Sequence, residues 1–233
     1  MKKHHLAYGT PLSELDIVVV DDHRGTQAML RSMLSVFRVA RVRSFDNGED
    51  ALRSMTVEPP SVLITDWEMR PMSGLRLLAI MRHEKMHPLC LVPALMVTGH
   101  ASLPMIEKAF AGGIHHMLVK PVAPARLLQR LTWLIQDERQ MVLEDERWRI
   151  EGVEEVIEKR IKPLRNTVLM ERLRPKGDGE DRENEVIEAI VDDTAPIETA
   201  HETLAPVKIR RAPARPAQPP ARSKASRWHG WRL

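Results

Sequence analysis

Polar side chains stand at the ends of four short apolar runs in this sequence. Asp66 follows the run at 62–65. Three further runs, at 17–20, 94–97 and 116–119, are followed by Asp21-Asp22, Thr98 and Lys120. Short β-branched runs of this kind predict buried strands. In an open α/β sheet, ligands bind outside the carboxyl ends of the strands. The sequence therefore predicts one site that combines three carboxylates, a hydroxyl and an ammonium.

The chemistry of such a site follows from its charges. Three carboxylates at one edge would repel one another and resist full ionisation. A divalent cation relieves this repulsion, and Mg²⁺ prefers oxygen ligands of this kind. Taken singly, Thr98 could be a strand-end threonine satisfied locally, and Lys120 could be a surface lysine. Their joint order and spacing favour a functional site.

The same residues resemble a known family. Residues 14–136 resemble the receiver domain of bacterial two-component response regulators, either stand-alone or with an atypical output. The resemblance rests on Asp21-Asp22, Asp66, Thr98 and Lys120-Pro121, with separations of 44, 32 and 22 residues, and on the loop that runs from Asp66 to Gly74. It implies an α/β fold with a doubly wound, five-stranded parallel sheet of the flavodoxin type. Helical apolar spacing between the predicted strands agrees with this.

The resemblance also implies a role for each site residue. Asp66 would be the nucleophile that forms an aspartyl phosphate. Thr98 would hydrogen-bond a phosphate oxygen, and Lys120 would supply a compact positive charge to the phosphate. Asp22, Asp66 and the backbone carbonyl of Glu68 would bind Mg²⁺ directly, and Asp21 would bind it either directly or through a water molecule. The Lys120-Pro121 bond is a candidate cis peptide.

Three positions bear on how such a site would switch. Receivers usually carry Tyr or Phe three residues before the lysine, whereas this sequence has Met117. Methionine can fill the same space but lacks the rigid plane and any hydroxyl, which puts the usual threonine–aromatic switch in doubt. Glu68 and His100 would flank the path of attacking water, or they would be ordinary solvent-exposed loop residues.

The implied function is signalling and not enzymatic turnover. The phosphoryl group would come from a histidine kinase or phosphotransfer protein. Beyond residue 136 the sequence has no helix-turn-helix pattern, cyclase or phosphodiesterase motif, or ATPase P-loop. The expected output is therefore contact with an unidentified downstream protein, and a homodimer stays open.

Charge and composition divide the chain into segments. Residues 1–13 are predicted to be a leader without structure, followed by the receiver at 14–136. Apolar residues recur every three or four positions from Met141 to Val168 and predict a helical extension at 137–174, which could pack on the receiver or bind a partner. An acidic linker at 175–203 and a basic, Pro- and Arg-rich tail at 204–233 follow. The formal net charge is +4 for 1–136, −9 for 137–203 and +8 for 204–233.

The basic tail supports a less favoured alternative. Its eight Lys and Arg side chains could contact nucleic-acid phosphates, with Trp228 and Trp231 stacking on bases. Its composition predicts disorder. The single cysteine, Cys90, suits a reducing cytoplasm. No signal peptide or membrane-spanning helix is evident in the sequence, so we expect a cytoplasmic protein.

Overall fold

The computed structural model describes residues 2–161, which contain eight strands and six α-helices. After β1 (Lys2–Lys3), strands and helices alternate as β2 (Asp16–Val20), α1 (Arg24–Val36), β3 (Arg41–Phe45), α2 (Gly48–Val57), β4 (Val62–Asp66), α3 (Gly74–Met81), β5 (Ala94–Thr98), α4 (Leu103–Ala111), β6 (His116–Val119) and α5 (Pro124–Ile135). The last elements are β7 (Met141–Glu144), β8 (Arg147–Ile150), α6 (Val153–Val156) and a π-helical turn (Ile157–Ile161).

Five of the strands form the predicted doubly wound sheet. Their order is β3-β2-β4-β5-β6, and every neighbouring pair is parallel. The chain therefore reverses its direction of travel across the sheet between β2 and β4. Such switch points are where ligands bind in open α/β sheets. The sheet predicted from the sequence is confirmed.

Helices cover both faces of this sheet because side chains alternate along each strand. Along β2, Ile17 and Val19 join a buried cluster that includes leucines of α1 and α5. Val18 and Val20 join the opposite cluster, to which α2, α3 and α4 contribute. Both faces of the central strands are thus apolar, as expected for a buried parallel sheet.

A buried arginine ties the ends of several elements together. Arg82 follows α3 and is only 2% exposed. Its guanidinium donates to the carbonyls of Cys90 and Val92 at 2.8 Å each, and twice to that of Gly113 at 2.8 and 3.1 Å. Burial lowers the pKa of Arg82 to about 10. Gly113 has φ +90°, and a Cβ there would lie 2.9 Å from Nε of Arg82, so this position requires glycine.

The prediction of an unstructured leader at 1–13 is wrong. β1 pairs in antiparallel fashion with β7, and Leu6 donates its backbone N–H to the carbonyl of Leu91 at 3.0 Å. His5 is buried, and its ring meets that of His115 nearly edge-on with 5.1 Å between centroids. This amino-terminal arm, residues 2–13, is ordered because it covers buried groups at the amino-terminal end of β6.

The predicted helix is also wrong for residues 141–150, which form the hairpin β7–β8. Asp145 and Glu146 form its two-residue turn, and both have positive φ, at 47° and 63°. This turn geometry matches the twist of paired strands. Alternation along the strands buries Met141, Trp148 and Ile150 in the cluster that α4 also enters. The same apolar residues that match a helical spacing therefore serve one face of a hairpin.

The hairpin is attached through the backbone to the segment that follows α3. Trp148 donates its N–H to the carbonyl of Arg82 at 2.8 Å, and Glu84 donates to the carbonyl of Glu146 at 2.8 Å. Val153 and Ile157 continue the apolar contact into the cluster shared with α4. Residues 141–157 thus pack on the receiver, which is one of the two alternatives left open by the sequence.

The other predicted segments lie outside the described residues. These are the remainder of the extension up to residue 174, the acidic linker at 175–203 and the basic tail at 204–233. The division of the chain into these segments stays a prediction. Among residues 2–161, every helix is too short or too polar to cross a lipid bilayer.

Candidate functional site

The predicted site residues lie at the carboxyl edge of the parallel sheet. Asp66 is the last residue of β4, Asp21 directly follows β2, and Lys120 directly follows β6. Thr98 ends β5, the strand between β4 and β6. The register of the parallel strands brings their ends level, so one edge holds residues that are far apart in the chain.

Lys120 joins two of the carboxylates. Its Nζ donates to Oδ2 of Asp21 and to Oδ2 of Asp66, with 2.9 Å for each contact. Asp21 is 1% exposed and Asp66 is 7% exposed, so both acids are largely withdrawn from water. One ammonium thus binds a pair of buried carboxylates at the switch point between β2 and β4. The Lys120-Pro121 bond is cis, as predicted.

Burial and charge act in opposite directions on these groups. Burial raises the pKa of Asp66, and the hydrogen bond and positive charge of Lys120 only partly offset that rise. Burial alone would lower the pKa of Lys120, but its hydrogen bonds to Asp21 and Asp66 outweigh it and raise the pKa overall. Lys120 is therefore a firmly charged ammonium, and Asp66 is a carboxylate deprived of most of its hydration.

The backbone around Asp66 is fixed as well. Oδ1 of Asp66 accepts the N–H of Trp67 at 2.7 Å. Gly74 begins α3 and donates its N–H to the carbonyl of Trp67 at 3.1 Å. A Cβ at position 74 would lie 2.0 Å from the backbone oxygen of Asp66. The final Gly of the Asp66–Gly74 loop is thus required by this close approach.

Asp22 is placed beside Asp21, together with a histidine that the sequence reasoning did not single out. Nδ1 of His23 lies 3.6 Å from Oδ1 of Asp22. Potential ligand atoms of Asp21, Asp22 and His23 all lie within 4.8 Å of one another. His23 directly precedes α1, and its backbone N–H donates to Oδ1 of Asp21 at 2.8 Å. This hydrogen bond fixes the Asp21 side chain.

The donor set of this edge fits Mg²⁺. Asp21, Asp22 and Asp66 supply oxygen atoms, and their three negative charges exceed the single positive charge of Lys120. An excess of buried carboxylate favours a small dication, and oxygen donors are the ligands that Mg²⁺ takes. The side chain of Glu68 is exposed two residues beyond Asp66.

Thr98 and Met117 are buried near this edge. Among the described residues, the hydrogen bonds of the Lys120 ammonium go to Asp21 and Asp66 and not to either of these two. The Thr98 hydroxyl donates to the carbonyl of His100 at 2.7 Å. The backbone carbonyl of Thr98 accepts the N–H of Lys120 at 2.7 Å. Met117 is fully buried in β6 opposite Met96 of β5. His100 is exposed. The switching role of Met117 stays a prediction.

Sequence reasoning also missed Gln27, a buried amide on α1. Its Nε2 donates to the backbone carbonyl of Asp21 at 2.7 Å. A glutamine in a helix is common on exposed surfaces, so its type and position alone carried no signal. The one feature of the sequence that sets Gln27 apart is its place in the first turn of α1, shortly after the acidic pair Asp21-Asp22.

Comparison with known proteins agrees with this geometry. The family described as response regulator receiver domain matches residues 17–132. A chemotaxis protein CheY homolog of Campylobacter jejuni is 30% identical over 118 residues, which is 50% of this chain and 89% of that protein. The chain belongs to the response regulator receiver domain family. The part beyond residue 132 lies outside the family match.

Solved structures similar to this receiver domain include chemotaxis response regulator CheY4 of Vibrio cholerae. It is 26% identical with a TM-score of 0.48, and the match covers 52% of this chain and 98% of that chain. The signal receiver domain of a signal transduction histidine kinase from Syntrophus aciditrophicus is 20% identical with a TM-score of 0.47, over 52% of this chain and 89% of that chain.

Proposed function

We propose that this receiver domain accepts a phosphoryl group on Asp66 from a histidine kinase or a phosphotransfer protein. The observation that carries the proposal is the pair of 2.9 Å contacts from the Lys120 ammonium to Asp21 and Asp66. A buried carboxylate next to a fixed ammonium is equipped to attack an electrophile that brings its own negative charge.

The transfer forms one bond and breaks one bond. A carboxylate oxygen of Asp66 attacks phosphorus, and the bond from phosphorus to the donor's imidazole nitrogen breaks. The imidazole leaves with the electron pair, and Asp66 needs no proton removed. Because burial has already stripped most of the water from Asp66, little solvent has to be displaced from the carboxylate before it attacks. Lys120 then neutralises the oxygens of the arriving phosphoryl group.

Mg²⁺ is the cofactor that the donor set supports. Asp21, Asp22, Asp66 and the backbone carbonyl of Glu68 would hold it. When bound, the ion supplies positive charge that the phosphoryl oxygens and the carboxylates share. Asp21 contributes by staying fixed between Lys120 and the N–H of His23, and so keeps its charge at the edge of the sheet.

Labelling with a small phosphodonor tests this proposal. Full-length protein is incubated with phosphoramidate and MgCl₂, and the adduct is measured by intact mass. We expect one acid-stable, base-labile phosphoryl group, which is lost in Asp66→Asn and after chelation of the metal. Asp50→Asn is the matched control, since Asp50 is exposed on α2. Equal labelling of Asp66→Asn and wild type would sink the assignment.

The proposed output is contact with another protein in the cytoplasm, without turnover of a substrate. Phosphoryl transfer and hydrolysis at Asp66 are then the only chemistry of the receiver. Affinity capture with wild type and Asp66→Asn, each with and without phosphodonor, tests this output. A partner retained equally by all four samples would contradict phosphorylation-dependent signalling.

A further inference from the structure

Gln27 is a buried polar side chain that the phosphoryl-transfer chemistry does not use. It lies on α1 and is 4% exposed. Its Nε2 donates to the backbone carbonyl of Asp21 at 2.7 Å and to Oδ1 of Asp46 at 2.6 Å, with the carbonyl of Phe45 at 3.3 Å. The amide thus connects the loop after β2 with the loop after β3.

Every polar group of Asp21 has a partner. Its backbone N–H donates to the carbonyl of Phe45 at 3.2 Å. Its Oδ1 accepts the N–H of His23 at 2.8 Å, and its Oδ2 accepts Nζ of Lys120 at 2.9 Å. The carbonyl is the remaining group, and the Gln27 amide binds it. Asp21 is therefore held at four points.

The carbonyl of Asp21 belongs to the peptide that joins Asp21 to Asp22. Fixing that peptide restricts the backbone torsions on either side of it, and with them the position of the Asp22 Cα from which the carboxylate extends. Asp22 needs such control because its side chain is 39% exposed and its one described basic contact is the exposed imidazole of His23, at 3.6 Å. A fixed peptide restricts where the Asp22 carboxylate can lie before any ligand arrives.

We propose that Gln27 is a positioning residue for the cation site of this receiver domain. Its amide holds the Asp21–Asp22 peptide so that both carboxylates are preorganised for a divalent cation. This inference rests on the proposed function, since it concerns the same carboxylates. An amide suits the role because it donates two hydrogen bonds without adding charge. Asp46 accepts the second one and fixes the orientation of the amide.

The direct test is calorimetric titration of full-length protein with MgCl₂. Gln27→Met keeps the length of the side chain but removes both donors. We expect it to raise the Mg²⁺ dissociation constant about tenfold, the size typical of lost support for a metal-binding group. Gln129→Met, the same replacement on α5, is the matched control. Gln129 makes no described hydrogen bond to Asp21 or Asp22, so we expect a change within about twofold.

Phosphorylation kinetics give a second readout. The initial rate of labelling by phosphoramidate is measured over a range of MgCl₂ concentrations. For Gln27→Met we expect the half-saturating concentration to rise by the same factor, about tenfold, while the rate at saturating Mg²⁺ stays near that of wild type. Gln27→Glu places a carboxylate against the Asp21 carbonyl and Asp46, and should weaken binding further. Gln27→Asn, which stays neutral but draws the amide back from the Asp21 carbonyl, serves as the test if Gln27→Met does not fold.

Wild-type affinity in Gln27→Met, combined with a lower thermal midpoint, would mean that Gln27 only stabilises the fold, and would overturn the inference. A lower saturating rate with an unchanged half-saturating concentration would overturn it too. Wild-type protein that binds Mg²⁺ but takes no label on Asp66 would contradict the proposed function alone. Wild-type protein that binds no Mg²⁺ would refute the positioning role as well.

Discussion

Acidification should destabilise this fold through three buried histidines. His5, His115 and His116 are each no more than 3% exposed, at the place where the amino-terminal arm meets the start of β6. Burial lowers the pKa of His5 to about 4 and that of His116 to about 3, and it lowers the pKa of His115 well below its usual value. The positive charges of Arg82 and Arg139 add to the effect on His115.

The direction of the pH effect follows from these lowered values. Below pH 6.5 the unfolded chain binds protons on three imidazoles that the folded chain keeps neutral. Stability is therefore complete above about pH 6.5 and is lost as the pH falls from there toward the folded-state pKa values. Each histidine lowers the unfolding free energy by up to about 1.4 kcal/mol for every pH unit of acidification. Between pH 7 and pH 5.5 the three together should cost about 4 kcal/mol of unfolding free energy.

Denaturant unfolding at several pH values measures this loss. His116→Leu should reduce the loss between pH 7 and pH 5.5 by about a third, since one of three titrating groups is gone. His100→Gln replaces an exposed histidine and should leave the loss unchanged. An unfolding free energy that is flat across this range, or a His116→Leu variant with the full wild-type loss, would refute the reasoning.

Three substitutions test other close contacts. Gly74→Ala should lower the unfolding free energy by about 1–3 kcal/mol and slow the labelling of Asp66, because its Cβ would lie 2.0 Å from the Asp66 carbonyl oxygen. Gly25→Ala is the control, since a Cβ at that position has open space around it. Arg82→Met leaves buried carbonyls unpaired and should lower the unfolding free energy, measured by heat or denaturant, by about 3–5 kcal/mol. Arg76→Met, at an exposed position, is the control and should change it little. Trp148→Ala should lower the unfolding free energy by about 3–5 kcal/mol. It should speed amide exchange in the β7–β8 hairpin more than in β4, and unchanged exchange in the hairpin would contradict the packing role of Trp148.

The receiver sheet and its acidic edge were predictable because their signals are local. A short apolar run that ends in a polar residue, such as 62–65 followed by Asp66, indicates both the strand and the edge that its last side chain reaches. The parallel order then follows from alternating strands and helices. Because parallel strands end at the same edge of the sheet, the sequence also indicated that Lys120 lies beside Asp66.

The hairpin and the arm were not predictable by the same reasoning because their structure depends on distant partners. Met141 and Ile150 fit a helical stripe as well as one face of a hairpin. The turn at Asp145-Glu146 lacks the Asn or Gly that usually marks positive φ. β1 has two residues and forms only because β7 pairs with it. Gln27 likewise has a role only once β3 and α1 have met.

The pairing of β1 with β7 has a consequence for the order of events during synthesis. Lys2–Lys3 are made before the parallel sheet, but their partner strand, Met141–Glu144, is made after all five strands of that sheet. At about 5–20 residues per second, the arm waits unpaired for roughly 7 to 28 seconds. The sheet can assemble in that time while His5 is still in water. Closure of the arm over His115 is then a late step, because it has to wait until β7 has been made.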